Sequence, residues 1–238
     1  AMSLCLIHTA DLHGRLRAGQ AQRLRDLRRE RGALLVDAGD ALLAPNLFAL
    51  PWPERTVRRM NEAGYDALCV GNREYALTRR ALAAKLGGFR FPILSTNLLP
   101  RRAPLPFLER WTIRQTAAGL RVGLFGLSQP IIEPGSCWER LAAARYVPPL
   151  QVVSEAVGAL REQVDVLVAL THFGRRPEAD LAAAYPEIDL ILAGHWHAHA
   201  PTLERVGPVT ISRTFPHARG AVILTRDGDQ WRQEPLEL

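Results

Sequence analysis

The sequence contains little cysteine, and its cysteines follow no pairing pattern. Cys5, Cys69 and Cys137 are far apart and form no C-x-x-C pair, so nothing indicates a disulfide framework. Cys5 and Cys69 lie in apolar segments, as buried, inert thiols do. We therefore predict a reducing, cytoplasmic compartment, with export through a signal peptide that has been removed as the alternative.

Long hydrophobic runs are also missing. No stretch approaches ~18 consecutive apolar residues, so we predict no membrane span. The first residues, 1–4, have neither the basic region nor the apolar core of a signal peptide. Internal repeats, low-complexity tracts and long linkers are absent too. A chain of 238 residues with 47% hydrophobic composition can bury one substantial core, so we predict a single domain over residues 1–238.

The net charge of +6 raises the question of a nucleic-acid partner. Lys85 is the only lysine, so almost all the positive charge is arginine, spread along the chain with one denser patch at residues 15–31. Leu24 and Leu27 recur there at helical spacing, which a solvated amphipathic helix explains better than a phosphate-binding stripe. The aromatic residues expected in a single-strand groove are not interleaved, so nucleic acid is disfavoured as a partner.

Short apolar segments alternate with helical periodicities in the first half, and hairpin-like pairs follow later. Strands are predicted at residues 4–9, 33–36, 67–70, 91–95, 111–116, 121–127, 166–170, 189–193, 209–213 and 221–226. Helices are predicted at 20–31, 53–63, 78–86, 149–163 and 177–185. Residues 98–106 are predicted as a surface loop, and 128–147 have no period, so that a lid and an ordinary connection are equally good interpretations. The pattern predicts an α/β fold with two mixed sheets between outer helices.

Aspartate and histidine are concentrated in the loops where predicted strands end. Two pairs have i,i+2 spacing, which in extended backbone puts both side chains on one face and points Leu12 and Trp196 the other way. Aspartate and histidine bind first-row divalent cations, and an asparagine adds a carbonyl oxygen. Together these residues predict a two-metal site: Asp11, His13, Asp40, Asn72, His172, His195 and His197.

The order of these segments resembles the metallophosphoesterase (calcineurin-like) superfamily, with its pattern D-x-H, G-D, G-N-H-[DE], a later His, then G-H-x-H. Residues 7–15, the Asp37-Ala38-Gly39-Asp40 segment and the stretch 91–97 look most like the amino-terminal domain of the 5′-nucleotidase and 2′,3′-cyclic phosphodiesterase group. The likeness runs from about residue 4 to 226 and is specific in the metal ligands. It implies a four-layer sandwich of two mixed β-sheets flanked by helices. Members of the group usually carry a carboxy-terminal, base-holding domain, for which we expect no room in this chain.

The resemblance also implies roles for individual residues. One metal ion is then held by Asp11, His13, Asp40 and His197, the other by Asp40, Asn72, His172 and His195, with the Asp40 carboxylate as a bridge. The implied cofactors are two divalent ions (Mn, Fe, Zn, Ni or Co), and a hydroxide between them attacks phosphorus in line. Asp37 and Glu74 are expected to orient ligands. Arg15, at the rim of the site, and Asn97 are expected to bind substrate.

The chain departs from the superfamily pattern at the catalytic histidine. The segment is Gly71-Asn72-Arg73-Glu74, so Arg73 takes the place of the histidine, and Ala76 that of its supporting aspartate. With a pKa above ~12 an arginine is no general acid at neutral pH, so Arg73 is predicted to clamp the phosphoryl group electrostatically. If another acid is present, His199 and His217 are the candidates.

Three functions follow, in this order. The leading hypothesis is a metal-dependent phosphoric ester hydrolase acting on small, nucleotide-like phosphoesters. The second is a metal-binding protein with little or no catalysis, favoured by Arg73 and Ala76 and opposed by the full ligand set. The third is a nuclease or nucleic-acid phosphodiesterase, suggested by the basic charge.

Overall fold

The computed structural model describes residues 4–197 and 199–238. The strands are β1 Leu4–Thr9, β2 Leu34–Asp37, β3 Ala67–Cys69, β4 Ile93–Leu94, β5 Leu98–Pro100, β6 Trp111–Gln115, β7 Arg121–Ser128, β8 Ala144–Tyr146, β9 Val166–His172, β10 Leu190–Ala193, β11 Thr202–Val206, β12 Val209–Arg213, β13 Gly220–Asp227 and β14 Gln230–Glu237. The α-helices are α1 Ala18–Arg31, α2 Arg55–Ala63, α3 Arg79–Leu86, α4 Cys137–Leu141, α5 Val153–Leu160 and α6 Arg175–Ala184.

Most strands belong to two mixed six-stranded sheets. The first sheet has the order β14-β13-β1-β2-β3-β4 and the second β11-β12-β10-β9-β7-β6, while β5 pairs with β8 alone. In the first sheet β1, β2, β3 and β4 run parallel, and in the second β7, β9, β10 and β12 do. Parallel strands end at the same edge of a sheet, so each sheet gathers several strand-end loops at one edge.

The alternation of side chains along the strands explains the layers. In β1, Leu4 and Leu6 face the second sheet and belong to the core between the sheets. Cys5 and Ile7 face the opposite way, into the core that the first sheet shares with α1 and α2. On the far face of the second sheet, a third core packs against α5 and α6. Successive side chains of a strand point to opposite faces, and both faces here are apolar, as sheets covered on both sides require. The predicted four-layer sandwich is confirmed.

The differences from prediction lie mainly at edges and connections. The edge strands β11 and β14 had no sequence-based prediction, because most of their residues are polar or exposed and little apolar signal remains. Two unpatterned segments contribute β5 and β8, which pair antiparallel. The predicted helix 149–163 is three pieces, with α5 between short 3₁₀ turns. Thr78, by contrast, caps α3 as predicted, accepting a hydrogen bond from the Ala81 N–H.

None of the helices in the described part of the chain combines the length and apolarity needed to cross a bilayer.

Candidate metal centre

The predicted ligands come together between the two sheets, at the carboxyl ends of their parallel strands. The loop after β1 supplies Asp11 and His13, and the loop after β2 supplies Asp40. His172 is the last residue of β9, and His195 follows β10. Both sheets therefore contribute side chains to one site.

Asp40 lies at the centre of this site. Its Oδ2 is 3.4 Å from His13 Nε2, and its Oδ1 is 3.4 Å from His172 Nε2. The two oxygens of one carboxylate thus face donors from different sheets, the arrangement of a bridging ligand. Burial alone raises the pKa of Asp40, but the neighbouring His13 and His172 imidazoles outweigh burial and hold the pKa well below its usual range.

Asp11 connects the other histidines. Its Oδ1 lies 3.1 Å from His197 Nε2, and its Oδ2 accepts a hydrogen bond from the His195 backbone N–H at 2.9 Å. Although burial opposes ionisation, the neighbouring imidazoles of His13 and His197 keep the pKa of Asp11 low. Two buried, ionised carboxylates among several imidazoles suit a cation, because a carboxylate must be deprotonated to bind a metal.

Unpartnered nitrogen atoms in the buried part of the site test whether a metal fits. His172 Nδ1 donates to the Ala38 carbonyl at 2.8 Å, which leaves the Nε2 lone pair facing Asp40. Within the described residues, the buried Nε2 atoms of His172 and His13 have no hydrogen-bond partner. Burial opposes the charge on His172, but Asp40 raises its pKa to about 9. An unpartnered imidazole nitrogen beside an ionised carboxylate can bind a divalent cation. The residues therefore suit the metal that the sequence predicts.

Two groups of side chains bring possible metal-binding atoms close together. One group is Asp11, Asp40 and His172, and the other is His13, His197 and His217, with the donor atoms of each group within 4.8 Å of one another. Their mixture of imidazole and carboxylate suits Mn, Fe, Zn, Ni or Co better than Ca. Of the predicted ligands, Asn72 is half-buried beside this site, between Gly71 and Arg73.

Glu74 fixes the loop that carries Asp40. Its buried carboxylate accepts the backbone N–H groups of Asp40 at 2.8 Å, Ala41 at 3.0 Å and Leu42 at 3.1 Å, and that of Gly71 at 2.8 Å. Burial raises the pKa of Glu74, and the Asp40 charge adds to this, while the N–H donors oppose it. The two loops pack so closely that a Cβ at Gly71 would overlap the Asp40 carboxylate.

Asp37 is fully buried, and no hydrogen bond within the described residues joins it to a predicted ligand side chain. It accepts hydrogen bonds from Thr9 Oγ1 at 2.6 Å and from the Gly39 N–H at 2.9 Å, and burial raises its pKa well above the usual value. Glu74 thus contacts the backbone of Asp40 directly, whereas Asp37 reaches the same loop only through Gly39.

The backbone of the site differs from the extended form expected at the i,i+2 pairs. The strands stop at Thr9 and Ala193, before either pair. The φ angles are positive at five predicted ligands: 52° at Asp11, 50° at His13, 57° at Asp40, 73° at His195 and 43° at His197. Left-handed backbone costs a non-glycine residue ~1–3 kcal/mol and persists where the surroundings impose it, often at functional sites.

The residues between the paired ligands differ in exposure. Leu12 is buried in the core, whereas Trp196 is 48% exposed, with the Arg175 guanidinium 4.7 Å from its ring centroid.

Arg73 lies beside Asp40. Its backbone N–H donates to Asp40 Oδ1 at 2.8 Å, and its guanidinium donates to the Leu43 carbonyl at 2.9 Å. The arginine charge opposes protonation of His13, as expected of a cation near the ligands. Lys85, the single lysine, is buried and donates to the Arg73 carbonyl at 2.7 Å, which ties this segment to α3. Burial lowers the pKa of Lys85 to about 8.

Arg15 opens onto a cavity of about 630 Å³ next to the site. Arg17, Arg219, Phe215 and His217 also line this cavity, in which Glu237 is the acidic residue. A basic lining of this kind suits an anionic ligand.

Asn97 is a correction to the sequence-based expectation of a substrate contact. The residue is fully buried, and its amide donates to the carbonyls of Ser128 at 2.7 Å and Val147 at 3.0 Å. Its oxygen accepts the Ser128 N–H at 3.0 Å. Asn97 therefore joins connecting segments of the chain, and its buried side chain is not exposed for contact with a substrate.

His217 is the residue whose place among the ligands the sequence did not indicate. It follows β12 by four residues, and its ring lies 4.9 Å from that of His13. A histidine shortly after an apolar strand is the same pattern that indicated the other ligands. His217, however, matches no position of the family motif. His199, the other acid candidate, is exposed.

Comparison with known proteins agrees with this geometry. The calcineurin-like phosphoesterase family matches residues 6–199. A probable 5′-nucleotidase of Treponema pallidum (strain Nichols) is 28% identical over 189 residues, covering 75% of this chain and 30% of that protein. The crystal structure of a 5′-nucleotidase precursor from Thermus thermophilus has a TM-score of 0.81 at 23% identity, covering 99% of this chain and 54% of the other. Sulfate thiohydrolase SoxB of Thermus thermophilus has a TM-score of 0.81 at 20% identity, covering 98% and 56%.

The chain thus spans about half the length of these solved structures, and less of the curated relative. The two structures establish the fold. Membership rests on the family match, which spans most of the chain and includes all the predicted ligands. The chain belongs to the calcineurin-like phosphoesterase family, as its strand-end motifs predicted.

Proposed function

We propose that the protein hydrolyses small, nucleotide-like phosphoesters at a two-metal centre. The observation that carries this proposal is the Asp40 carboxylate, whose two oxygens face His13 and His172, each at 3.4 Å. Asp11, His13, Asp40 and His197 would hold one ion, and Asp40, Asn72, His172 and His195 would hold the other. When bound, two such ions supply Lewis acidity and lower the pKa of water enough for nucleophilic attack at neutral pH.

The protein's own residues position the ester. Arg73 lies next to the bridging carboxylate, where a guanidinium stabilises charge that develops on phosphoryl oxygens. Arg15, on the wall of the neighbouring cavity, provides a second cationic contact. The preference for nucleotide-like esters is supported by the relative from Treponema pallidum and the structure from Thermus thermophilus that are named as 5′-nucleotidases. The equal likeness to SoxB shows that this fold alone does not select a substrate.

The second candidate, a metal-binding protein with little turnover, is favoured by one observation. Ala76 is fully buried in the apolar core, so its position offers no group to support a proton donor. The Arg73 guanidinium, in turn, donates to the Leu43 carbonyl. Both candidates require the metal centre, and they differ in turnover.

Metal analysis followed by a panel of esters tests the proposal. The protein is reconstituted with Mn²⁺ and assayed with p-nitrophenyl phosphate, bis-p-nitrophenyl phosphate, 5′-AMP and 2′,3′-cyclic AMP. We expect two ions per chain, and Asp40→Asn should lose at least one of them together with at least about a hundredfold in kcat. The matched control is Asp180→Asn, because Asp180 is exposed on α6. No bound metal after reconstitution would overturn the assignment, and two ions without hydrolysis of any ester would favour the second candidate.

A further inference from the structure

A third imidazole stands beside the ligands of one metal position. The His217 ring centroid is 4.9 Å from that of His13 and 5.1 Å from that of His197, and the His13 and His197 rings are 4.9 Å apart. The three rings meet edge to face, with a donor atom of each within 4.8 Å of the others. Nitrogen ligands of a single ion lie ~3–4 Å apart at metal–nitrogen distances of ~2.0–2.1 Å. A small contraction around an ion is enough to bring the three nitrogens to that spacing.

His217 has no other evident purpose. Among the residues that the structure describes, no hydrogen bond involves its ring, although the ring is half-buried and held among other imidazoles. An imidazole kept for structural reasons normally donates to a carbonyl or carboxylate, as His172 does to Ala38.

The backbone holds His217 in this position at a cost. Its φ is 62° and that of Ala218 is 54°, two consecutive left-handed residues without a glycine. The His217 N–H donates to the Asp11 carbonyl at 2.7 Å, and Gln20 Nε2 donates to the Ala218 carbonyl at 2.8 Å. Like His13 and His197, His217 has a positive φ. Its backbone N–H is bound to the backbone of Asp11, itself a predicted ligand of the same position. Such strain persists where surrounding contacts over-determine it.

We propose that His217 is an additional ligand of the metal ion held by Asp11, His13 and His197. The inference rests on the proposed metal centre and specifies one of its two positions. Three imidazoles make this position richer in nitrogen than the one formed by Asn72, His172 and His195. Imidazole suits Zn²⁺, Co²⁺ and Ni²⁺, whereas oxygen ligands suit Mn²⁺. The centre is therefore asymmetric, with a nitrogen-rich position selective for Zn²⁺, Co²⁺ or Ni²⁺ over Mn²⁺.

The experiment is a competition titration of the metal-free protein with Zn²⁺ and then Mn²⁺ against a chelating dye. The variant is His217→Asn, because asparagine tolerates the left-handed backbone. Loss of an outer partner of a ligand already costs 10–100-fold in affinity, so loss of this ligand should weaken Zn²⁺ binding at one position at least about tenfold. Mn²⁺ binding should weaken less, so that the ratio of the two affinities falls. In the Co²⁺-loaded protein, the visible absorption band should shift, because it reports the ligand set.

His199→Asn is the matched control, since His199 is an exposed histidine outside both donor groups, and it should leave affinities and spectrum unchanged. Wild-type Zn²⁺ affinity and an unaltered Co²⁺ spectrum in His217→Asn would overturn the inference. Circular dichroism verifies the fold of each variant, and His217→Gly, which also accepts positive φ, must give the same result. Asp40→Asn separates the two levels: if it loses metal while His217→Asn does not, only the role of His217 fails. If neither loses metal, the metal centre itself fails.

Discussion

Replacing Glu74 by glutamine tests how the Asp40 loop is held. The change keeps the size of the side chain but turns one carboxylate oxygen into an NH₂ group. Oε2 accepts the N–H groups of Asp40 and Gly71, and Oε1 those of Ala41 and Leu42. Whichever way the amide lies, two backbone N–H groups then face another donor in a fully buried place.

The expected loss follows from this count of contacts. Hydrogen bonds to charged groups contribute about 1.5–3 kcal/mol each, so two lost bonds amount to about 3–6 kcal/mol. Burial raises the pKa of Glu74, so removing the charge returns part of this loss and favours the lower half of the range. Since domains are stable by only about 5–15 kcal/mol, the effect is large. The displaced Asp40 loop should also bind metal more weakly.

Urea unfolding and a metal titration measure both effects, and the chain provides a matched control. Glu54 accepts the N–H groups of Leu43 at 2.6 Å and Ala44 at 2.8 Å, in the same loop but partly exposed. Water replaces the lost acceptor there, so Glu54→Gln should cost no more than about 1.5 kcal/mol and leave metal affinity intact. Equal stability and equal metal affinity of the two variants would refute the reasoning.

Two further predictions concern acid stability and leaving groups. His8 is fully buried, neither ring nitrogen has a partner in the described part of the chain, and burial lowers its pKa to about 3. Because the unfolded chain binds a proton below pH ~6.5 and the folded protein does not, stability is full above that pH and falls as the pH drops towards 3. His8→Val should reduce the loss between pH 7 and pH 5 by about 2 kcal/mol in urea unfolding, and an unchanged loss would contradict it. If Arg73 transfers no proton, the wild type should cleave p-nitrophenyl esters about 10²–10⁴-fold faster than alkyl esters, and Arg73→Ala should slow both to a similar extent. Comparable wild-type rates on the two esters would show that another acid is present.

The fold and the location of the candidate site could be predicted from the sequence, because both follow from apolar strands and from the residues at their ends. A strand buried on both faces leaves a continuous apolar signal, and the residue types that follow it are visible without knowledge of the fold. The polar edge strands β11 and β14 gave no such signal, since their pairing depends on a neighbour that the local pattern does not reveal. A similar reason explains His217, which joins His13 through the arrangement of the two sheets.

For Asn97, by contrast, the sequence suggested a role that the structure does not support. A polar residue in a recognisable stretch looked functional, but whether an amide meets a substrate or a backbone depends on what the chain packs around it. Here the carbonyls of Ser128 and Val147, both distant in sequence, take up its donors. The left-handed turns at the ligands were equally invisible, because aspartate and histidine give no local sign that surrounding contacts will force positive φ.

The distribution of the ligands over both sheets makes a bound metal a cross-link between the two halves of the sandwich. Asp11 and Asp40 extend from the first sheet, and His172 and His195 from the second. When the free ion concentration is a thousand times the dissociation constant, binding adds about 4.1 kcal/mol to the stability of the folded state. Because this free energy acts across the interface, amide hydrogens of β1 and β9 should exchange more slowly together when metal is added, whereas those of the outer strands β11 and β14 should respond little.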